Sequence, residues 1–329
     1  MLKKYFLSNS FFLCIYVVEL NYCLLLKSPK FKQHFYLIVF VFTIFPSAFG
    51  QILKPSDSLN IPRRNTVIAT EAVISTGVLI GLNQLWYADY PKSNFHFIND
   101  NSEWLQMDKA GHAFSSYHLG RYSKEALQWS GLSRENQLIY GSTLGFVFLS
   151  AVEVMDGYSF NWGASAGDIA ANASGTALYV SQELIWKEQR IIPKFFFHTT
   201  PYAPVRPNVL GKDLNEQIIK DYNGQTYWLS VNMYSFVKDS KIPKWLNLAV
   251  GYGAEGMITG NDAFINNIFL PESKRHRQFY FSFDADLTKI ETKSHLLKTV
   301  FSVFNTIKIP APTFEINGRG DFKFHYFYF

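Results

Sequence analysis

The sequence has few cysteines and none in its later part. Cys14 and Cys23 are the two among 329 residues, and both lie within the first 50. If that segment is removed during export, the remaining chain carries no thiol. A disulfide framework and a zinc site with cysteine ligands are then excluded.

The net positive charge is small outside the same segment. Five lysines and one acid, Glu19, give residues 1–50 a balance of +4, so the rest contributes +1 of the net +5. Nucleic-acid binding requires a clustered basic surface, and the composition therefore argues against a nucleic-acid partner. Two compact motifs are missing as well, H-E-x-x-H and a phosphate-binding loop.

The first 50 residues do contain long apolar runs. The second run, FYLIVFVFTIFPSAFG, follows three lysines and ends in Ala-Phe-Gly at residues 48–50. A basic flank, an apolar run and a small-residue site together indicate a signal peptide. We therefore predict a leader over residues 1–50, cleaved near Gly50/Gln51. The residues before Cys23 are Leu-Asn-Tyr, which lack the small side chains that lipid attachment at this cysteine requires.

Residues 51–64 contain two prolines and are predicted to form a linker. Apolar segments of helical length then cover residues 66–87, 112–129, 138–155 and 164–186. Segments of this length can cross a bilayer or form a buried core. They predict a bundle of about four apolar helices with an internal polar cluster over residues 65–192. The fold class expected is α+β, mainly α.

The pattern changes over residues 193–329, which are predicted to form a mixed strand and helix region packed on the bundle. In QFYFSFDADL, Phe279, Phe281 and Phe283 alternate with Tyr280 and Ser282. Alternation of this kind predicts a half-buried strand. The segment HLLKTVFSVF returns to helical spacing.

Polar residues interrupt the apolar helices at three places. Residues three or four positions apart lie on one face of a helix. The three sets, each spaced this way, are Asp108, Lys109 and His112; Glu153 and Asp156; and Ser165, Asp168, Asn172 and Thr176. Beside the last set runs a stripe of small residues, Gly167, Ala171 and Gly175, which predicts the close approach of another helix.

Two interpretations of these polar residues remain open. In the first they form a buried network that fixes helix register, because buried acids must be paired or protonated. In the second they form a site for acid/base chemistry or for a divalent metal ion. The catalytic set would be His112, Glu153, Asp156 and Asp168, the metal ligands His112, Glu153 and Asp168, and the surrounding network Asp108, Lys109, Ser165 and Asn172.

The spaced motifs also resemble a known family. D-K-x-x-H at 108–112, E-x-x-D at 153–156 and S-x-x-D-x-x-x-N-x-x-G at 165–175 resemble the YfiM-like family of predicted periplasmic or outer-membrane-associated proteins. Residues 105–180 carry the likeness, and the later segments DYNGQTYWLS and GYGAEGM resemble its longer form. The D-K-x-x-H turn alone is similar to VanZ-like membrane proteins. The resemblance implies a location in the cell envelope, in the periplasm or at the outer membrane, and no particular reaction.

We therefore expect an exported, membrane-associated protein of the cell envelope that acts as a structural or binding component. Its expected partner is a membrane lipid or another envelope component. The alternative is an enzyme that uses a metal ion or acid/base chemistry on an envelope lipid or glycan. The sequence leaves the ligand and the oligomeric state open.

Overall fold

The computed structural model describes residues 53–88, 90–238, 240–261 and 275–329. The chain divides into two compact units. One comprises residues 55–293 and 297–329, and it holds the candidate site. The other comprises residues 1–54 and 294–296, of which residues 53, 54 and 294–296 are described. The predicted leader and its cleavage point lie outside the described residues.

Four long helices arise from the four apolar segments: α1 (Ile61–Leu82), α2 (Met107–Trp129), α3 (Leu144–Gly157) and α4 (Ala166–Ile185). Polar side chains cap two of them. Asn60 accepts a hydrogen bond from the Arg63 N–H at the start of α1, and Ser165 accepts one from the Asp168 N–H at the start of α4. Two further helices are α5 (Leu214–Lys220) and α6 (His295–Phe304), and the short ones are Arg134–Asn136, Pro207–Leu210 and Met233–Phe236.

Helix α2 packs between α3 and α4 at very short range. A Cβ atom on Gly175 of α4 would lie 2.0 Å from the Ala113 carbonyl oxygen, and one on Gly145 of α3 would lie 2.1 Å from the Ser116 carbonyl oxygen. Only glycine allows such an approach of two helix backbones. The close contact predicted from the small-residue stripe is confirmed at Gly175.

Helix α1 is attached to the end of α2, and most of its surface is exposed. The Asn60 N–H donates to the Ser130 carbonyl at 2.8 Å. Within α1 only Val67 is buried, and Val73 is 72% exposed. The prediction of a four-helix bundle is therefore wrong, because the apolar residues of α1 surround the helix instead of forming one stripe that could pack on the other three.

A single antiparallel sheet dominates the second half of the chain. Its strands lie in chain order: β3 (Ile191–Phe197), β4 (Gln225–Asn232), β5 (Leu246–Glu255), β6 (His276–Ala285), β7 (Ala311–Asn317) and β8 (Phe322–Tyr328). Two short strands, β1 (Phe97–Ile98) and β2 (Ala164–Ser165), pair separately in parallel. The prediction of a mainly α fold is wrong, since about 48% of the described residues are helical and this half forms one continuous sheet.

The sheet is curled. Its faces are inverted relative to a water-soluble sheet, because the exposed face is apolar and the buried face is largely polar. The ring of Phe329, after β8, stacks on Phe196 of β3 with centroids 4.0 Å apart. The strand predicted around Phe281 is confirmed. Its buried face, however, is the polar one: Phe281 is 46% exposed, whereas Ser282 beside it is 2% exposed. Strand β7 repeats this, with Phe314 exposed and Glu315 buried.

An ionic network fills the inner side of the sheet. The ammonium of Lys194 lies 2.8 Å from Asp284 Oδ2, and neither side chain is exposed. The Ser230 hydroxyl donates to the same oxygen at 2.6 Å, and Asn247 donates to Ser230 at 2.8 Å. A second buried ammonium, that of Lys308, lies 4.0 Å from Asp284 Oδ1. Asp284 is thus the counter-ion of two buried lysines.

Among the described residues, two helical segments are long and apolar enough to cross a membrane, Ile61–Leu82 and Arg134–Gly157. Length and composition alone do not separate such a segment from a core helix. The second segment includes α3, which packs on α2 and carries the buried acid Glu153. The first is the largely exposed helix α1.

Candidate functional site

The candidate site begins at an unusual turn that precedes α2. Trp104, Leu105 and Gln106 all have left-handed backbone angles, with φ of 46°, 50° and 64°. Residues other than glycine rarely adopt these backbone angles, so three in succession must be stabilised by contacts with other parts of the chain. The C-terminal half supplies these contacts: Trp104 N–H donates to the Gly260 carbonyl at 2.8 Å, Tyr252 hydroxyl donates to the Leu105 carbonyl, and Arg277 donates to Gln106 Oε1 at 2.6 Å.

Lys109 occupies the centre of three carboxylates. Its ammonium lies 2.7 Å from Asp100 Oδ2, 3.0 Å from Asp108 Oδ2 and 2.9 Å from Asp168 Oδ1. Burial alone would lower the pKa of Lys109, but the hydrogen bond to Asp100 and the nearby carboxylates raise it above its ordinary value. Lys109 is therefore a permanent internal cation of the site.

His112 lies beside Lys109, between α3 and α4. Its Nδ1 is 2.9 Å from Asn172 Oδ1, and since an amide oxygen only accepts, Nδ1 carries the proton of this bond. Its Nε2 lies 3.8 Å from Glu153 Oε1 and 3.9 Å from Asp168 Oδ1. The convergence of His112, Glu153 and Asp168 expected from the sequence is confirmed.

Asp156, one helical turn after Glu153, stands apart from this group. Its Oδ1 accepts a hydrogen bond of 2.7 Å from the Tyr87 hydroxyl. Burial raises the pKa of Asp156 to about 7, although the Tyr87 hydrogen bond opposes the shift. Burial also raises the pKa of Glu153 and of Asp168, against the opposing effect of His112. The site therefore holds more carboxyl groups than its cations neutralise.

The site opens into a cavity of about 480 Å³, a size typical of small-molecule sites. His112, Asp108, Asp156 and Asp168 form part of its wall. Eight other lining residues are aromatic: Trp86, Tyr87, Trp104, Phe114, Trp162, Phe195, Tyr222 and Tyr227. The arrangement places an imidazole and carboxylates at the wall of a chamber that is rich in aromatic rings.

Residues 96–182 match one family model. The family is described as "Predicted periplasmic lipoprotein (DUF2279)". The comparisons with curated proteins and with solved structures found no match.

The DUF2279 match supports the expectation of an uncharacterised periplasmic family and of an exported envelope protein. It does not support the more specific likeness to YfiM-like or VanZ-like proteins. The matched residues contain all the predicted polar residues, from Asp108 to Asn172. The predicted catalytic and metal-binding roles of His112, Glu153, Asp156 and Asp168 remain predictions.

Several residues of the site were not expected from the sequence. Asp100 binds Lys109 and also accepts a hydrogen bond of 2.5 Å from the Ser165 hydroxyl. It lies in a loop within the DUF2279 match, where no periodic pattern marks it. Tyr87 and Tyr222 come from outside the match, and the density of Tyr and Trp in DYNGQTYWLS is a signal that could have identified the second.

The raised pKa of Asp156 predicts a pH dependence of stability. Because the folded-state pKa lies above the ordinary 3.8, the folded protein binds more protons than the unfolded chain between these values. Stability contributed by this group is therefore lost as the pH rises from about 4 to about 7. In Asp156→Asn this loss disappears, so the variant should gain about 3 kcal/mol relative to wild type between pH 5 and pH 8.

Urea unfolding of both proteins at pH 5, 6.5 and 8 measures this difference. Glu135→Gln, at an exposed position, is the control for the loss of a carboxylate. A difference between wild type and Asp156→Asn that stays constant over the three pH values would contradict the assignment.

Proposed function

We propose that this protein is a membrane-associated component of the cell envelope that buries the outer face of its sheet in lipid hydrocarbon. One observation carries the proposal, namely the inverted polarity of the sheet. On β6 and β7 the outward residues are Phe279, Phe281, Phe283, Phe314 and Ile316, all exposed, while their inward neighbours are buried and, apart from Tyr280, polar. A water-soluble sheet turns its apolar side inward, whereas lipid-facing strands turn it outward.

Neighbouring elements extend this apolar surface. Strand β8 adds Phe322 and Phe324, and β4 and β5 add Leu229 and Val250, all exposed. Exposed apolar area costs about 25 cal/mol per Å² in water, so a face of this extent requires a cover. We favour lipid over a protein partner because helix α1, with apolar residues on all sides, is largely exposed as well. A periplasmic location is compatible with the family description.

We also propose the finer resemblance to YfiM-like proteins. The family description further names a lipoprotein. The cysteines of this sequence are Cys14 and Cys23. The sequence before Cys23 argues against lipid attachment there. Attachment through the apolar surface is sufficient for the function proposed.

Vesicle binding tests the proposal. The triple variant Phe279→Ser, Phe281→Ser and Phe283→Ser removes three half-exposed rings, each contributing about 1 kcal/mol to transfer into hydrocarbon. We expect wild type to float with vesicles of phosphatidylethanolamine and phosphatidylglycerol. The variant should partition about 100-fold less, as about 3 kcal/mol implies.

The control variant carries Phe160→Ser, Val205→Ser and Leu214→Ser, three exposed apolar residues outside the sheet and α1. It should float like wild type. Equal losses in the two variants, or a wild type that stays with the soluble fraction, would reject lipid as the occupant of this face.

A second function is favoured by the cavity. Its aromatic wall and its polar group of His112, Asp156 and Asp168 suit an enzyme that acts on an envelope lipid or glycan. In a deletion strain with a measurable envelope phenotype, His112→Ala would then fail to complement while its folding and vesicle binding match wild type. Complementation by a folded His112→Ala variant would reject the enzymatic function and favour the non-enzymatic one.

A further inference from the structure

Two groups of side chains among the described residues have ligand atoms close enough to share a metal ion. They are Asp100, Asp108 and Asp168, and His112, Glu153 and Asp168. In the first group the ammonium of Lys109 already lies within 3.0 Å of one oxygen from each carboxylate. That group therefore has its cation within the chain.

The second group shares Asp168 Oδ1 with the first, so Lys109 contacts one of its three ligand atoms. Among the described residues, Glu153 Oε1 has no such contact with a lysine or arginine. His112 Nε2, Glu153 Oε1 and Asp168 Oδ1 lie within 4.8 Å of one another. The distances of 3.8 and 3.9 Å from Nε2 to the two oxygens are too long for hydrogen bonds. Tetrahedral zinc with bonds of about 2.0–2.2 Å separates its ligand atoms by roughly 3.3–3.6 Å, so the two distances from His112 Nε2 exceed this spacing by a few tenths of an ångström.

The surrounding hydrogen bonds orient these ligand atoms. The bond from Nδ1 of His112 to Asn172 Oδ1 directs Nε2 towards the two carboxylates. The backbone N–H of Ser165 donates to Glu153 Oε2 at 2.9 Å and so turns Oε1 towards His112. Metal-binding histidines are commonly held by a hydrogen bond from their second ring nitrogen in this manner.

One buried oxygen of the group lacks a partner. Glu153 is 2% exposed, and its Oε1 has no hydrogen bond with any described residue. The site contains five carboxyl groups (Asp100, Asp108, Glu153, Asp156 and Asp168) and one lysine, Lys109, so in its fully ionised form it would carry a net charge of −4 with neutral His112. A buried charge of this size requires protons or a bound cation.

We propose that His112 Nε2, Glu153 Oε1 and Asp168 Oδ1 bind one divalent ion of the zinc type. The imidazole nitrogen favours such an ion over Mg²⁺ or Ca²⁺, which prefer sites built from oxygen alone. Because His112 and Asp168 lie in the cavity wall, a fourth coordination position opens into the cavity, as in sites where a metal ion binds a water molecule or a substrate. The proposal is independent of the membrane binding proposed above.

Titration of the purified full-length protein with Co²⁺, after removal of bound metal by a chelator, tests the site. We expect one Co²⁺ per chain with the visible absorption of a tetrahedral complex, displaced by one equivalent of Zn²⁺. His112→Ala and Glu153→Gln should each weaken Co²⁺ binding by roughly 100-fold or more, because loss of a ligand exceeds the 10–100-fold cost of losing a supporting residue.

The matched control is His325→Ala. His325 Nε2 lies 2.6 Å from Glu315 Oε2, so this variant also removes an imidazole beside a buried carboxylate, but in the sheet. It should bind Co²⁺ within about threefold of wild type. Circular dichroism of each variant reports folding. Absence of stoichiometric binding in wild type, or undiminished binding in a folded His112→Ala variant, would overturn the proposal.

Discussion

Replacing Asp284 with alanine is expected to lower the free energy of unfolding by about 3–5 kcal/mol, the usual cost of removing one partner of a buried ion pair. The carboxylate is buried, and it faces the ammonium groups of Lys194 and Lys308. Its loss would leave two lysines without their counter-ion on the inner side of the sheet, and it would also remove the acceptor of the Ser230 hydroxyl. Urea unfolding of wild type and variant, both in the same detergent, measures the difference in the free energy of unfolding.

A second ion pair of nearly the same length provides the control. Lys244 and Glu291 lie 2.7 Å apart, but both are exposed. Water solvates each of these groups when the other is removed, so Glu291→Ala should leave the unfolding curve unchanged. If the two variants lost similar stability, burial would not be what makes the inner network important.

The contact between α2 and α4 gives the other large expected effect. Gly175→Ala should lower the free energy of unfolding by about 1–3 kcal/mol, the typical cost of overpacking. The new Cβ would lie 2.0 Å from the Ala113 carbonyl oxygen, a backbone atom that cannot move away alone. The helices must separate, and Asn172 must then move relative to His112. Weaker Co²⁺ binding by the folded Gly175→Ala variant would indicate this displacement separately from the loss of stability.

Gly77→Ala in α1 is the matched control for this change. A Cβ there meets nothing within 4 Å, so the variant should gain up to about 1 kcal/mol from the better helix propensity of alanine. The two substitutions are chemically identical, and we expect opposite signs. Equal effects would mean that the close contact at Gly175 relaxes without cost.

The helices and strands were largely predictable because each follows from a local period in the sequence. Residues such as Phe279, Phe281 and Phe283 must share one face of a strand whatever surrounds it. Which face is buried does not follow from the alternation, because that depends on the medium outside the sheet. The sequence therefore predicts which residues share a face of the strand, but it does not predict that the apolar face is the exposed one.

The same distinction applies to the candidate site. Spacings of three and four placed Asp108 with His112 and Glu153 with Asp156 on their helix faces, and apolar surroundings required these groups to find partners. Asp100 and Tyr87 join the site through the path of the chain in space. No periodic pattern connects either of them to α2 or α3. Their identification needed the tertiary structure.

The left-handed turn before α2 determines when the chain can complete this site during its synthesis. Two of its restraints, from Tyr252 and Arg277, act across 147 and 171 positions, so the entropy of closing these long loops must be offset before the turn is held. A nascent chain that has reached residue 182 contains every acid of the matched segment. It still lacks the residues that hold Trp104, Leu105 and Gln106 in place. Translation must therefore pass Arg277 before α2 can acquire its final start.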